Sequence, residues 1–248
     1  MQEKVNPIPN IVTGLNLLSG CVAISMAIQD NYETAALLIL VSAILDFCDG
    51  MLAKVLHAES SFGKVFDSIV DVVSFGVAPS VLMFKIMIMS LTFNDSTFNL
   101  ESADLTENVF MLSSFLLTLF AAIRLARFTS SEKESDYFKG LPTPASAILV
   151  ASISTIATSE ISTLQYFIFN NSRLLILIIC ISILMVVNLP MMKLKIYKGQ
   201  LKDNFMKYLF ILGAIILIVI FNIAGIPLII ILYIVLSIVN TLIKEPNI

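Results

Sequence analysis

Residues 33–90 read ETAALLILVSAILDFCDGMLAKVLHAESSFGKVFDSIVDVVSFGVAPSVLMFKIMIMS. Two apolar runs, near 33–55 and 65–90, flank a short polar loop, and each is long enough to cross a bilayer as a helix. Carboxylates stand at their facing ends. Asp46 and Asp49 are spaced i, i+3, and Asp67 and Asp71 are spaced i, i+4, so each pair shares one helix face. A single aspartate within a membrane helix costs about 2.5–3.5 kcal/mol on insertion scales. Four near one another cost more and repel, so positive charge must sit among them. Lys54 and Lys64 are the only close bases. Divalent cations answer the charge better, and all-oxygen ligands favour Mg²⁺, Mn²⁺ or Ca²⁺ over zinc. Gly50 lies one turn after Asp46 and Gly63 one turn before Asp67, on the carboxylate face. Glycine there lets a phosphate approach the backbone, or lets two helices close around a metal pair. Solvated helix ends would account for Asp46 and Asp49 alone, but not for all four aspartates with two glycines at matching offsets.

The remaining sequence extends this architecture. Of 248 residues, 58% are apolar and 13% charged, against about 25% charged in soluble domains. That balance excludes a soluble enzyme, a disulfide-stapled module and a disordered chain. A net charge of −3 without a basic stripe argues against nucleic-acid binding. Apolar runs predict helices near 11–29, 33–55, 65–90, 107–127, 143–158, 172–191, 205–222 and 225–243, an all-α polytopic membrane protein with about eight transmembrane helices. The first run is long for a signal peptide, and Glu3 and Asn10 dilute its basic start, so it reads as a membrane helix. Pro142 and Pro144 suit the start of the fifth helix, and 222–225 makes a tight hairpin of the last two. Cys21, Cys48 and Cys180 lie inside apolar runs without metal-ligand spacing and read as small buried hydrophobes.

Thirteen of the fifteen lysines and arginines fall in alternate connections or at the ends, leaving Lys85 inside the third helix and Arg173 at the edge of the sixth. The positive-inside rule places that side, with both termini, in the cytoplasm. Lys85 is expected to snorkel or to pair.

The spacing Asp46-x2-Asp49-Gly50-x2-Ala53-Lys54-x8-Gly63-x3-Asp67-x3-Asp71 closely resembles the signature of the CDP-alcohol phosphatidyltransferases, with Lys54 where that family usually has arginine. Lysine is a point charge without the bidentate fork. Pro9-Asn10-x2-Thr13-x2-Asn16, Arg124-Leu125-Ala126-Arg127-Phe128, Phe138-x-Gly140-Leu141-Pro142-x-Pro144, the run from Asp71 to Pro79 and Asn188-Leu189-Pro190 are similar to segments of its bacterial, integral-membrane phosphatidylserine synthases. The likeness runs over about 7–192. It implies one membrane-embedded catalytic domain over 1–248, with a core near 7–192 and an additional helix pair at 205–243.

The resemblance implies transfer of the phosphatidyl group from CDP-diacylglycerol to L-serine, giving phosphatidylserine and CMP, at a multi-pass cell-membrane site facing the cytoplasm. By position, Asp46 and Asp67 would bridge two divalent cations, Mg²⁺, Mn²⁺ or Ca²⁺, with Asp49 completing one and Asp71 the other. Asp71 would also take the serine hydroxyl proton. Gly50, Lys54 and Ser60 would contact the head group, and Asn10, Thr13 and Gly63 would belong to the substrate site. The expected partners are CDP-diacylglycerol, L-serine, membrane lipids and a second copy of the chain as a homodimer, with no nucleic acid.

Arg124 and Arg127, one turn apart, read either as carboxylate recognition through the guanidinium fork or as anchors at the cytoplasmic edge. The subfamily motif favours recognition, most for Arg124. Asn188 reads as a substrate contact or a helix cap. His57 reads as interfacial, and the lysines between 193 and 207 as anchors on anionic head groups. A phosphorylated acceptor, glycerol 3-phosphate or an inositol phosphate, and a cation-transport role are the competing functions.

Overall fold

A computed structural model describes residues 7–58, 60–130, 138–158, 162–191, 201–222 and 225–244. Glu3, Lys4, Lys133, Lys193, Lys195, Lys198, Ile223 and Ala224, used above for charge and turn placement, lie outside them. The chain begins with α1 (Pro7–Ile28) and α2 (Tyr32–Val55), followed by α3 (Ser61–Asp71), a π-helical segment (Val72–Val77) and α4 (Ala78–Asn94) as one continuous rod. A second rod follows, formed by α5 (Leu105–Leu112), a 3₁₀ turn (Ser113–Phe115) and α6 (Leu116–Ser130). After these come α7 (Thr143–Ala157), the short α8 (Ser162–Ile168), α9 (Asn171–Val186), α10 (Leu201–Phe221) and α11 (Gly225–Lys244).

Five of these helical stretches are long and apolar enough to cross a membrane, and α7, α9 and α11 are shorter apolar helices. The protein is all-helical and polytopic. Its one strand pairing among the described residues is β1 (Phe138–Lys139) against β2 (Pro190–Met191), two residues each and antiparallel.

α1 and α2 pack as an antiparallel pair through small residues. Ser19, Gly20, Ala23 and Ala27 on α1 are buried, as are Ala35, Ala36 and Ser42 on α2. With no water to compete, close backbone approach and hydroxyl bonds hold such helices together. The Ser19 hydroxyl donates to the Leu38 carbonyl at 2.9 Å, and the Ser42 hydroxyl to the Asn16 carbonyl at 3.4 Å. The π segment presses on the same face, and Ser74 donates to the Asn16 carbonyl at 3.2 Å.

Pro79, near the start of α4, explains the widened turn before it: its ring lacks an N–H and would crowd the Phe75 carbonyl four residues back. The turn leaves the Gly76 carbonyl to accept from the hydroxyls of Ser80 at 2.8 Å and Thr118 at 3.2 Å, tying α4 to α6. α7 is buried along most of its length through Ala147, Val150, Ala151, Ser154 and their neighbours. Pro144 stands in its first turn, where a missing donor costs little.

The structure corrects several sequence expectations. The third helix begins at Ser61 rather than 65, because the Ser60 hydroxyl caps it by accepting from the Gly63 amide at 3.0 Å. The sixth ends at Val186 rather than 191. Pro190 drives the chain before it to extended backbone, and Pro190–Met191 then pair with β1. The connection read over 159–171 contains the short helix α8. Cys21 and Cys180 are exposed on the helix surfaces and Cys48 is half-buried, rather than all three being core residues. A thiol behaves as a small apolar group and suits a lipid-facing surface. Lys85 pairs with Asp30 at 2.6 Å and donates to the Ile28 carbonyl at 3.4 Å. Hydrogen bonds from Lys85 and from the Tyr32 hydroxyl hold the Asp30 carboxyl below the usual carboxylate range.

Gly20 tests the packing directly. A Cβ there would stand 2.5 Å from Ser74 Oγ and 2.9 Å from Ser74 Cα, so the π segment would have to move. Gly20→Ala is expected to destabilise the protein by about 1–3 kcal/mol, as overpacking does. Thermal unfolding in detergent should show a lowered Tm, and an unchanged Tm would contradict this close approach.

Candidate active site

The register of α1 against α2 builds the site. Thr13 reaches Asp49, while one turn deeper Asn16 lies against Ser42, one turn from Asp46. α3 brings Asp67 and Asp71 to the same place. Carboxylate oxygens of Asp46, Asp49 and Asp67 all lie within 4.8 Å of one another. Asp71 joins them through a hydrogen-bonding contact with the Asp46 carboxyl. Asp49 and Asp71 are buried, whereas Asp46 and Asp67 are half-buried.

These groups repel one another. Among the described residues no lysine or arginine forms an ion pair with any of the four. Asp49 Oδ2, Asp67 Oδ1 and Asp71 Oδ1 are buried acceptors without a hydrogen-bond donor. One unsatisfied buried polar atom costs about 1–3 kcal/mol, more when charged. Buried acceptors gathered in one oxygen cluster fit a hard divalent cation.

The flanking residues predicted from sequence fall into two groups. At the rim, a Cβ on Gly63 would lie 3.1 Å from Ser60 Oγ and 3.3 Å from Asn10 Oδ1, which puts Asn10, Ser60 and Gly63 together. Thr13 is buried, and its hydroxyl also reaches the Pro9 carbonyl at 3.0 Å. Gly50 is exposed, with nothing within 4 Å of where a Cβ would be, and Lys54 one turn on is exposed as well. Deeper in, Arg124 of α6 lies within electrostatic reach of Asp71 and of Tyr233 of α11, and its buried Nε lacks a hydrogen-bond acceptor.

Among the described residues, neither Arg127 nor Asn188 hydrogen-bonds or ion-pairs with the four aspartates. Arg127 Nη1 donates to the Val186 carbonyl at the end of α9, 3.3 Å away. Asn188 lies past that helix end, exposed, with no side-chain hydrogen bond among the described residues, so it does not cap α9. The Gly140–Leu141 segment covers the same end, its two amides donating to the carbonyls of Leu189 and Leu184, each at 2.8 Å. Gly140 has φ 75°, and a Cβ there would meet the Met185 carbonyl oxygen at 2.5 Å, so only glycine fits.

Two residues were not singled out from sequence as site residues. Asn16 is fully buried, and both Oδ1 and Nδ2 of its side chain lack partners. Its spacing from Asn10 and Thr13, polar positions three apart in an apolar run, was the available signal. Tyr233 sits among apolar residues of the last helix, and nothing local marks it.

The site is thus an oxygen-rich, cation-fitting cluster enclosed among apolar helices. The CDP-alcohol phosphatidyltransferase description matches residues 6–236, and the chain belongs to that family of phospholipid-synthesising enzymes. The match continues beyond residue 192 into α11. Relatives include the CDP-diacylglycerol–serine O-phosphatidyltransferase of Helicobacter pylori strain J99, 33% identical over 205 residues, which are 80% of this chain and 78% of that protein. Proteins of the same name from Bacillus subtilis strain 168 and Methanocaldococcus jannaschii are 30% identical over 150 residues (60% of this chain, 76% of theirs) and 34% over 157 (63% and 65%).

Asp67→Asn removes a charge with little change in volume, so it separates charge from packing. It is expected to abolish CMP release from CDP-diacylglycerol while leaving the protein folded, and excess EDTA should stop the wild-type enzyme. A near-wild-type Asp67→Asn rate, or full activity in EDTA, would contradict the metal reading.

Proposed function

We propose that this enzyme transfers the phosphatidyl group of CDP-diacylglycerol to the hydroxyl of L-serine, giving phosphatidylserine and CMP. The observation that carries the acceptor assignment is Arg124, a partly buried guanidinium within electrostatic reach of Asp71, with an unpartnered Nε. A cation next to the proton acceptor suits a small carboxylate-bearing alcohol. The relatives named as serine phosphatidyltransferases support the same reading. A phosphorylated acceptor would call for a denser group of bases than Arg124 supplies, since Arg127 is engaged at the end of α9.

In this reading eight helices cross the membrane, both termini are cytoplasmic and the aspartates open to the cytoplasm. Asp46, Asp49, Asp67 and Asp71 would hold two divalent cations, Mg²⁺, Mn²⁺ or Ca²⁺. When bound, these supply positive charge against the pyrophosphate and the departing CMP.

The chain's own residues do the rest. Asn10, Ser60, Gly63, Gly50 and Lys54 form the rim that receives the nucleotide-lipid head group, and the open flank at Gly50 admits it closely. Lys54 offers a point charge to the pyrophosphate. Asp71 accepts the serine hydroxyl proton as the oxygen bonds to the phosphorus that carries diacylglycerol, and the bond from that phosphorus to CMP breaks. Arg124 holds the serine carboxylate. Arg127 positions Arg124 indirectly, by fixing α6 to the end of α9.

Two measurements check this. Purified enzyme given labelled serine, glycerol 3-phosphate or inositol phosphate should make labelled lipid from serine alone, and product from a phosphorylated acceptor instead would overturn the assignment. Arg124→Lys keeps the charge but loses the fork. A lost charge-assisted hydrogen bond corresponds to about a 10- to 150-fold change. The serine KM should rise by that order while CDP-diacylglycerol binding stays unchanged. An unchanged serine KM would remove Arg124 from the acceptor site.

A further inference from the structure

The Asn16 side chain has no role in the reaction as described, yet its environment is anomalous. It is 0% exposed, in an apolar helix, and both its amide oxygen and its amide nitrogen lack a hydrogen-bond partner. Its backbone carbonyl is doubly served, by the hydroxyls of Ser42 and Ser74. The position is therefore pinned while the amide is left over. Ser42 lies one turn from Asp46, and Ser74 three residues after Asp71, so Asn16 is level with the inner edge of the carboxylate cluster. Helical side chains lean towards their own N-terminus. For α1 that direction leads to Thr13, which touches Asp49. The amide thus leans towards the cluster floor without bonding to any of its carboxylates.

The chemistry of displacement gives this floor a meaning. Attacking and leaving oxygens at phosphorus lie roughly in line. The nucleotide occupies the rim formed by Asn10, Ser60 and Gly63, so CMP departs on that side. The acceptor must then approach from the opposite, inner side, where the segment from Asp71 to Ser74 meets Asn16 through the Ser74 hydroxyl and lies within electrostatic reach of Arg124 through Asp71. An amide with both atoms orphaned calls for a ligand that offers a donor and an acceptor together. A pyrophosphate offers acceptors only, and a lone cation only a partner for oxygen. A zwitterionic amino alcohol offers an ammonium and a carboxylate.

We propose that Asn16 is a specificity-determining residue of the acceptor pocket, its Oδ1 accepting from the ammonium of serine and its Nδ2 donating to the carboxylate that Arg124 also holds. This rests on serine as acceptor. Like the Asp71 carboxylate, the amide is shut off from bulk water, where such bonds discriminate most strongly between acceptors.

The test compares wild type with Asn16→Asp, near-isosteric but without the donor and with an added negative charge, and with Asn16→Ser. CDP-diacylglycerol binding reports folding and should stay within about twofold of wild type, while the serine KM should rise about tenfold or more. The preference for serine over ethanolamine, which lacks the carboxylate, should fall in Asn16→Asp, whereas a packing defect would lower both rates together. On wild-type enzyme, ethanolamine and 3-hydroxypropionate, which lacks the ammonium, should each compete at least about tenfold more weakly than serine. This arm holds even if both variants fail to fold. An unchanged serine KM with weakened CDP-diacylglycerol binding would overturn the proposal, as would an altered metal requirement alone or an analogue competing as well as serine. Wild-type enzyme that makes no phosphatidylserine would instead refute the serine reading itself.

Discussion

Four carboxylates confined between the ends of α2 and α3 are the constraint on which the rest of this protein depends. Carboxylate oxygens of Asp46, Asp49 and Asp67 lie within 4.8 Å of one another, and Asp71 contacts Asp46. In a low-dielectric setting such a cluster persists only if cations compensate it and the surrounding helices hold it against repulsion. α1 does much of that holding. Its small-residue face lets α2 and the π segment approach closely enough for Ser42 and Ser74 to share one carbonyl. The widened turn that Pro79 imposes lies directly after Asp71, so the same rod that carries two of the carboxylates also fits itself around α1 and α6.

A second layer fixes the acceptor side. α6 is tied to α4 through Thr118 and Gly76, to α3 by the 2.7 Å contact of Ser68 with Thr129, and to the end of α9 through Arg127. Between these ties Arg124 is carried to within electrostatic reach of Asp71. The loop through Gly140 seals the carbonyl end of α9, and α11 brings Tyr233 within electrostatic reach of Arg124. α11, which no local motif explained, also packs against α7 and β2.

Much of the fold was readable because apolar runs long enough to span a bilayer leave little choice of structure. Each predicted apolar run coincides with a helix or a continuous rod. The aspartate site was readable because i, i+3 and i, i+4 spacing is fixed by helix geometry alone. What could not be read depends on contacts distant in sequence. α9 stops early because its following residues pair with Phe138–Lys139, fifty residues upstream. Arg127 is engaged by a carbonyl 59 residues away. Asn16 looked like one polar residue among several, and its importance is visible only once its two neighbours are known to bond its backbone and leave its amide alone.

The central claim is that the four aspartates exist to hold two divalent cations. It is tested most directly by counting Mn²⁺ bound per chain on purified, detergent-solubilised protein, using electron paramagnetic resonance of the free ion. The account predicts saturation at two ions per chain for the wild type, and loss of both in an Asp46→Asn, Asp67→Asn double variant that remains folded. Binding that is absent in the wild type, or undiminished in the double variant, would contradict it.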